Sequence, residues 1–134
     1  MSVHMKGRST GPTTVELVHE SGAVITTTAP KDNGGDGSSF SPTDLCAVSL
    51  GTCAVTIMSL YARNHGIALE GVSFDLEKEM TPPPRKIGRI TIRFVLSGGF
   101  SDQDFAKIIA AGKTCPVRLT LGGNVEVVEE YLRG

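Results

Sequence analysis

No block of like charge occurs in this 134-residue sequence; 13 basic and 14 acidic side chains leave a formal charge of −1. Without a basic stripe there is no electrostatic case for nucleic acid or an anionic membrane as partner. The opening residues Met1–Arg8 contain no apolar run and so do not read as a secretory signal. No stretch reads as the run of about 20 apolar residues that a membrane span needs. The three histidines, His4, His19 and His65, are scattered, and no pair has the helical i, i+4 spacing of a metal site. Cysteine is also scarce. Three thiols (Cys46, Cys53 and Cys115) are an odd number in a leaderless chain and do not make a structural disulfide framework. The cytosol is the natural compartment, where any disulfide would be catalytic or redox-sensing.

What is present suits one domain spanning residues 1–134, with 40% apolar residues to supply a core. Thr13 to Thr28 predicts a hairpin, because β-branched residues flank the Ser21-Gly22 turn; Val3 to Arg8 could add an edge strand. Pro30 to Phe40 is a Gly-rich loop that lacks the Lys-Ser/Thr of a phosphate loop. Ser41 then caps a long helix, with Pro42 at its first position and Asp44 as the returning acid of a capping box. Gly66 ends that helix, and Arg63 and His65 favour its negative end.

Two strands follow, Gly71–Met80 and Lys86–Leu96, the second alternating Ile90, Ile92, Phe94 and Leu96 against Arg89, Thr91 and Arg93. Ser101 caps a helix to about Lys113, Cys115–Leu121 forms a short helical turn, and Asn124–Tyr131 is a last strand. The order β-β-β-α-β-β-α-α-β is an α+β pattern, with sheets available to cover the long helix. That helix is apolar around most of its circumference, more than one small domain covers, so a homodimer is expected. Gly51 in mid-helix costs about 1 kcal/mol relative to Ala, which predicts close packing there, with a second helix as the expected neighbour.

The cysteines offer chemistry. Cys46 and Cys53 share a helix face but lie about 10 Å apart along the axis. A disulfide requires Cα atoms roughly 4.4–6.8 Å apart. Cys115 is therefore the plausible intrachain partner for either. Small residues (Ser49, Gly51, Thr52 and Ala54) surround Cys53 and let another backbone approach, whereas Cys46 reads as a small apolar filler. Cys115 follows Thr114, a candidate N-cap, and precedes Pro116; a thiol at a helix front has its thiolate favoured by the dipole. On these grounds alone, ordinary buried core cysteines remain the other reading.

Two motifs then resemble a known family, the OsmC/Ohr proteins (osmotically inducible and organic-hydroperoxide-resistance thiol peroxidases). Ser41-Pro42-x-Asp44-Leu45 with Cys53 eleven residues after the proline resembles the family's reactive-cysteine helix; Cys115-Pro116-Val117 resembles its resolving-cysteine segment. The resemblance covers nearly the whole chain and implies an intertwined homodimer with active sites at the subunit interface. It implies that Cys53 attacks a hydroperoxide, becoming a sulfenic acid, and that Cys115 traps it as a disulfide for a dithiol reductant to reopen. No metal or cofactor is implied.

The chain departs from the family at one pair of positions. Characterised members carry a Glu after the helix-opening proline, holding an upstream Arg against the sulfur; here Thr43 occupies that position, with Asp44 next. No Arg occurs between Gly11 and Ala62, which places this chain nearer a less-characterised OsmC-like branch. Lys31 is the cation nearest the expected place, and Arg85, Lys86 and Arg89 form a basic cluster that could serve from across a dimer. Met58 and Tyr61 read as core or dimer contacts. The remaining readings are a non-catalytic OsmC-like stress-related or small-ligand-binding protein, and a redox sensor with Cys46 or Cys115 exposed.

Overall fold

The computed structural model describes residues 1–134 and divides them into two compact units, Met1–Cys46 and Ala47–Gly134. In the first unit, β1 (Met5–Ser9), β2 (Thr14–His19) and β3 (Val24–Thr28) form an antiparallel meander in the order β1-β2-β3. The predicted hairpin is β2–β3, its register running from Thr14 opposite Thr28 to Val18 opposite Val24. Gly22 turns it with φ +94°, a conformation that L side chains rarely adopt. Thr27 and Thr28 at the end of β3 are buried, and β1 is exposed along its whole length.

The Gly-rich segment contains one short 3-10 turn, Lys31–Asn33. Its chain is tied locally: Asp36 Oδ1 accepts from the Ser38 N–H at 3.0 Å and from Thr28 Oγ1 at 3.4 Å. Ser41 and Asp44 cap each other reciprocally. The Ser41 N–H donates to Asp44 Oδ2 at 2.9 Å, and Ser41 Oγ accepts from the Asp44 N–H at 3.1 Å. With Pro42 lacking an N–H, this capping box satisfies two of the three free N–H groups at the helix front.

Helix α1 runs from Pro42 to Asn64 and so crosses into the second unit. Gly66, at φ +64°, closes it, with the Ile67 N–H reaching back to the Ala62 carbonyl at 2.9 Å. His65 therefore lies just beyond the last turn, stacked on Tyr61 at 4.0 Å between ring centroids. Leu45 to Ala62 carries no charged residue. By length and composition the helix could cross a membrane, with a mean hydropathy of 1.8, which corrects the reading that no stretch approaches a span. The small residues Ala, Gly, Ser and Thr had disguised the run. In the fold, 33% of that window is buried.

The second unit is built on a three-stranded sheet ordered β4-β5-β6: β4 (Leu69–Met80), β5 (Ile87–Gly98) and β6 (Glu126–Arg133). β4 and β5 pair antiparallel, β5 and β6 parallel, as a connection carrying helices allows. That connection holds α2 (Asp102–Gly112), capped by Ser101 Oγ accepting from the Asp104 N–H at 3.1 Å, and α3 (Pro116–Leu121). The alternation read along β5 is the observed one: Ile90, Ile92, Phe94 and Leu96 are buried, Arg89 and Arg93 exposed. One stripe of α1, Ala47, Leu50, Ala54, Met58 and Ala62, joins them in the core at helical spacing.

Gly51 has a different neighbour from the helix expected. A Cβ there would lie 2.5 Å from Phe74 Cε2, so it is a ring of β4 that seats against the helix backbone. Phe74 in turn packs tilted against Phe94, centroids 6.0 Å apart. The fold is thus the mixed α+β arrangement expected from sequence, with element ends within a few residues of those read.

Candidate active site

Cys53 and Cys115 are brought together. Cys53 projects from the middle of α1 and is half-buried; Cys115 is wholly buried at the front of α3. Both are free thiols, and they are close enough that Cys53 is among the groups raising the Cys115 pKa. Cys46, by contrast, is exposed near the start of α1.

Cys115 is itself the N-cap of α3, displacing Thr114 from the role the sequence suggested. Its Sγ accepts from the Arg118 N–H at 3.4 Å, and Thr114 Oγ1 instead donates to the Ala111 carbonyl at 2.7 Å. Pro116 at the first helical position needs no partner for a missing N–H. The cap does not make this thiol acidic. Burial pushes the Cys115 thiol above its ordinary 9.0; the Arg118 N–H opposes that, and the hydrogen bond and charge of Cys53 add to it. The dipole argument made from sequence is outweighed by desolvation.

The sequence reading missed the polar groups beside the pair. Val127, Glu129 and Tyr131 point to the core side of β6, while Glu126, Val128 and Glu130 point away. A carboxylate on that face needs a partner, and Arg118, three residues after Cys115, supplies it: Arg118 Nη1 donates to Glu129 Oε1. The Glu129 side chain is only 12% exposed and that of Arg118 32%. Tyr131 Oη donates to the second oxygen, Glu129 Oε2, at 2.5 Å. The Tyr131 ring stacks on Phe94 with centroids 4.9 Å apart, and Lys113 Nζ lies 5.6 Å from its centroid. The phenol is held far above its ordinary 10.0, chiefly by burial and then by Glu129; the charges of Arg118 and Cys115 also act on it. Period-two reading of Val127 to Tyr131 was the signal that would have put Glu129 on Tyr131's face.

The cations considered from sequence are placed elsewhere. Lys31 lies in the 3-10 turn of the first unit, its stem against Gly37. Arg89, on the outward side of β5, pairs with Glu126 at 3.1 Å and Glu79 at 3.4 Å, which raise its pKa. Lys86 Nζ donates to the Asn124 carbonyl at 3.0 Å. Asp44 serves the helix cap described above. Met58 is a fully buried core residue and Tyr61 half-buried. No group of three or more His, Cys, Asp or Glu side chains is arranged to hold a metal ion. An outer-face groove of about 300 Å³, lined by Asp75, Glu77, Arg93 and Glu130 among others, contains no thiol.

The comparisons agree with this architecture. The model of the OsmC-like protein family matches residues 35–130, a stretch that includes both thiols, Arg118 and Glu129. No curated protein sequence matches the chain significantly. Among solved structures, a Psychrobacter arcticus protein described as an osmotic-stress-induced and detoxification-response protein superposes with a TM-score of 0.85 at 29% identity, covering 97% of this chain and 94% of its own. A Legionella pneumophila organic hydroperoxide resistance protein OsmC gives a TM-score of 0.72 at 20% identity, covering 98% of this chain and 97% of its own. An organic hydroperoxide resistance protein from Elizabethkingia anophelis gives 0.77 at 16% identity, covering 100% of this chain and 97% of its own. This chain belongs to the OsmC-like protein family.

Proposed function

We propose that the chain is a stress-response protein acting as a thiol-dependent hydroperoxide reductase, with one OsmC-like domain per subunit. The observation that supports this reading is the proximity of Cys53 and Cys115: far apart in sequence, they act on each other in the fold, Cys53 on the half-buried middle of α1 and Cys115 buried at the front of α3. The half-buried Cys53 is the sulfur that a peroxide can reach, and the wholly buried Cys115 is the one kept for the second step.

In the first step the Cys53 thiolate attacks the outer oxygen of a hydroperoxide; the O–O bond breaks, sulfur is oxidised to a sulfenic acid and the alkoxide leaves as an alcohol after taking a proton. The Cys115 sulfur then displaces hydroxide, which leaves as water, and an S–S bond forms. A dithiol reductant returns both sulfurs to thiols by exchange. No metal or cofactor enters the cycle. Ile57, one helical turn after Cys53 and partly buried against the core, favours an organic peroxide, since burying an alkyl chain gains free energy.

The proposal includes a cytosolic homodimer, in which the exposed remainder of α1 meets a second copy. Turnover of cumene hydroperoxide with a dithiol reductant tests the activity. Cys53→Ser is expected to abolish it, and Cys115→Ser to allow one oxidation without a disulfide. Retained turnover in Cys53→Ser would remove the reading, and equal rates with hydrogen peroxide would remove the preference for organic peroxides.

A non-catalytic, ligand-binding role is the second reading. It is favoured by the burial that pushes the Cys115 thiol up and so disfavours its thiolate.

A further inference from the structure

The loop between β3 and α1 holds an Asn33-Gly34 step that neither the thiol chemistry nor the helix cap uses. An asparagine followed by glycine can modify itself. The backbone nitrogen of the next residue attacks the side-chain carbonyl carbon, and a glycine has no Cβ to shield that nitrogen. A fold permits or blocks the reaction by how firmly it holds the two reacting groups.

The chain has three asparagines, Asn33, Asn64 and Asn124, and the fold treats them differently. The nitrogen that would attack Asn64 is that of His65, whose N–H donates to the Tyr61 carbonyl at 3.1 Å and the Ala62 carbonyl at 3.3 Å. The Asn124 carboxamide donates to the Leu121 carbonyl at 3.4 Å, and the following Val125 is β-branched and half-buried. Asn33 has neither restraint. Its side chain is exposed and bonded to nothing, and it ends a 3-10 turn of three residues, where hydrogen-bond geometry is poor. Gly34 lies at φ +86°, with nothing within 4 Å of where a Cβ would be. What opposes rotation at Asn33 is the bond closing the loop, from the Gly35 N–H to the Pro30 carbonyl at 2.9 Å. The residue that the left-handed turn requires is therefore also the one that leaves Asn33 open to attack.

We propose that Asn33 is a site of spontaneous deamidation and isoaspartate formation in the folded protein. The Gly34 nitrogen gives up its proton and bonds to Asn33 Cγ; the side-chain nitrogen leaves as ammonia, and a five-membered succinimide remains. Water then opens one of its two carbonyl–nitrogen bonds. Breaking the bond to Cγ leaves aspartate. Breaking the former backbone bond leaves isoaspartate, with the chain running through the side chain and longer by a methylene. No oxidant or reductant takes part. Either product carries one more negative charge than the parent chain's −1, next to Asp32. In isoaspartate the added methylene moves Gly35 off the Pro30 carbonyl and out of a seat so close that a Cβ there would lie 1.8 Å from the Ala29 oxygen. The modification thus loosens the connector that leads into the Ser41–Asp44 cap.

The test is incubation of the full-length reduced protein at mildly alkaline pH, native and unfolded in guanidinium, with peptide mapping that separates asparagine, aspartate and isoaspartate at all three positions. In the native protein Asn33 converts roughly tenfold or more faster than Asn64 and Asn124, each of which must first break a hydrogen bond. Because one hydrogen bond opposes it, the native rate at Asn33 stays within about tenfold of the unfolded rate. Gly34→Ala strains a left-handed turn, and that loosening alone would speed the reaction; the Cβ beside the attacking nitrogen slows it instead.

A native rate at Asn33 further below the unfolded one would overturn the proposal, as would equal native rates at the three asparagines. A Gly34→Ala rate equal to or above that of the wild type would overturn it too. Thiol oxidation plays no part in these readouts, so failure of the peroxidase reading leaves each of them unchanged.

Discussion

Replacing Gly51 with Ala sets two effects of known sign against each other. On an exposed helix position the change would stabilise by about 1 kcal/mol, because Gly is that much poorer than Ala in a helix interior. Here the new Cβ would lie 2.5 Å from Phe74 Cε2, 2.7 Å from Cζ and 2.9 Å from Cδ2, so a whole ring edge must retreat. Phe74 is backed by Phe94, which is 0% exposed and cannot yield. Forcing a methyl into a packed site costs roughly 1–3 kcal/mol. The sum is a destabilisation of between about 0 and 2 kcal/mol, with Gly51→Val further in the same direction. Urea unfolding followed by circular dichroism measures it. Because Gly51 lies two residues before Cys53, the same displacement shifts a sulfur, and the yield of disulfide after peroxide falls with stability. A stabilisation of about 1 kcal/mol in Gly51→Ala would show that the helix responds to propensity alone, and would refute the packing argument.

Three further outcomes follow from the same physics. Phe94→Ala, emptying a site that is 0% exposed and shared by Phe74 and Tyr131, is expected to cost about 3–5 kcal/mol in the same unfolding assay. Cys115 has a folded pKa raised above 9.0, so the folded state holds its proton where the unfolded chain has lost it; stability declines as pH rises past 9.0, and Cys115→Ser removes that part of the decline. Arg118→Ala leaves a carboxylate only 12% exposed without its partner and should cost about 2 kcal/mol, most of it recovered in Arg118→Met/Glu129→Gln.

Element type and order were legible because each element declares itself locally. Ser41, Pro42 and Asp44 spell a capping box, β5 alternates without a break, and Gly22 and Gly66 mark their turns. The two cysteines were also legible, through small neighbours in one case and a proline-marked helix front in the other. What sequence could not give was tertiary proximity. The neighbour of Gly51 is a ring from the following strand, a contact that no local pattern specifies. The Arg118–Glu129 pair joins α3 to β6, and its acid looked like one of several solvated glutamates until strand period two was applied to it.

The most direct test treats the reduced protein with one equivalent of cumene hydroperoxide, blocks remaining thiols, and maps the peptides without reduction. A Cys53–Cys115 bridge that disappears on adding a dithiol is the result that a redox pair gives. Recovery of both sulfurs as blocked thiols, or a bridge through Cys46 instead, would mean that their meeting in the fold is packing and not chemistry.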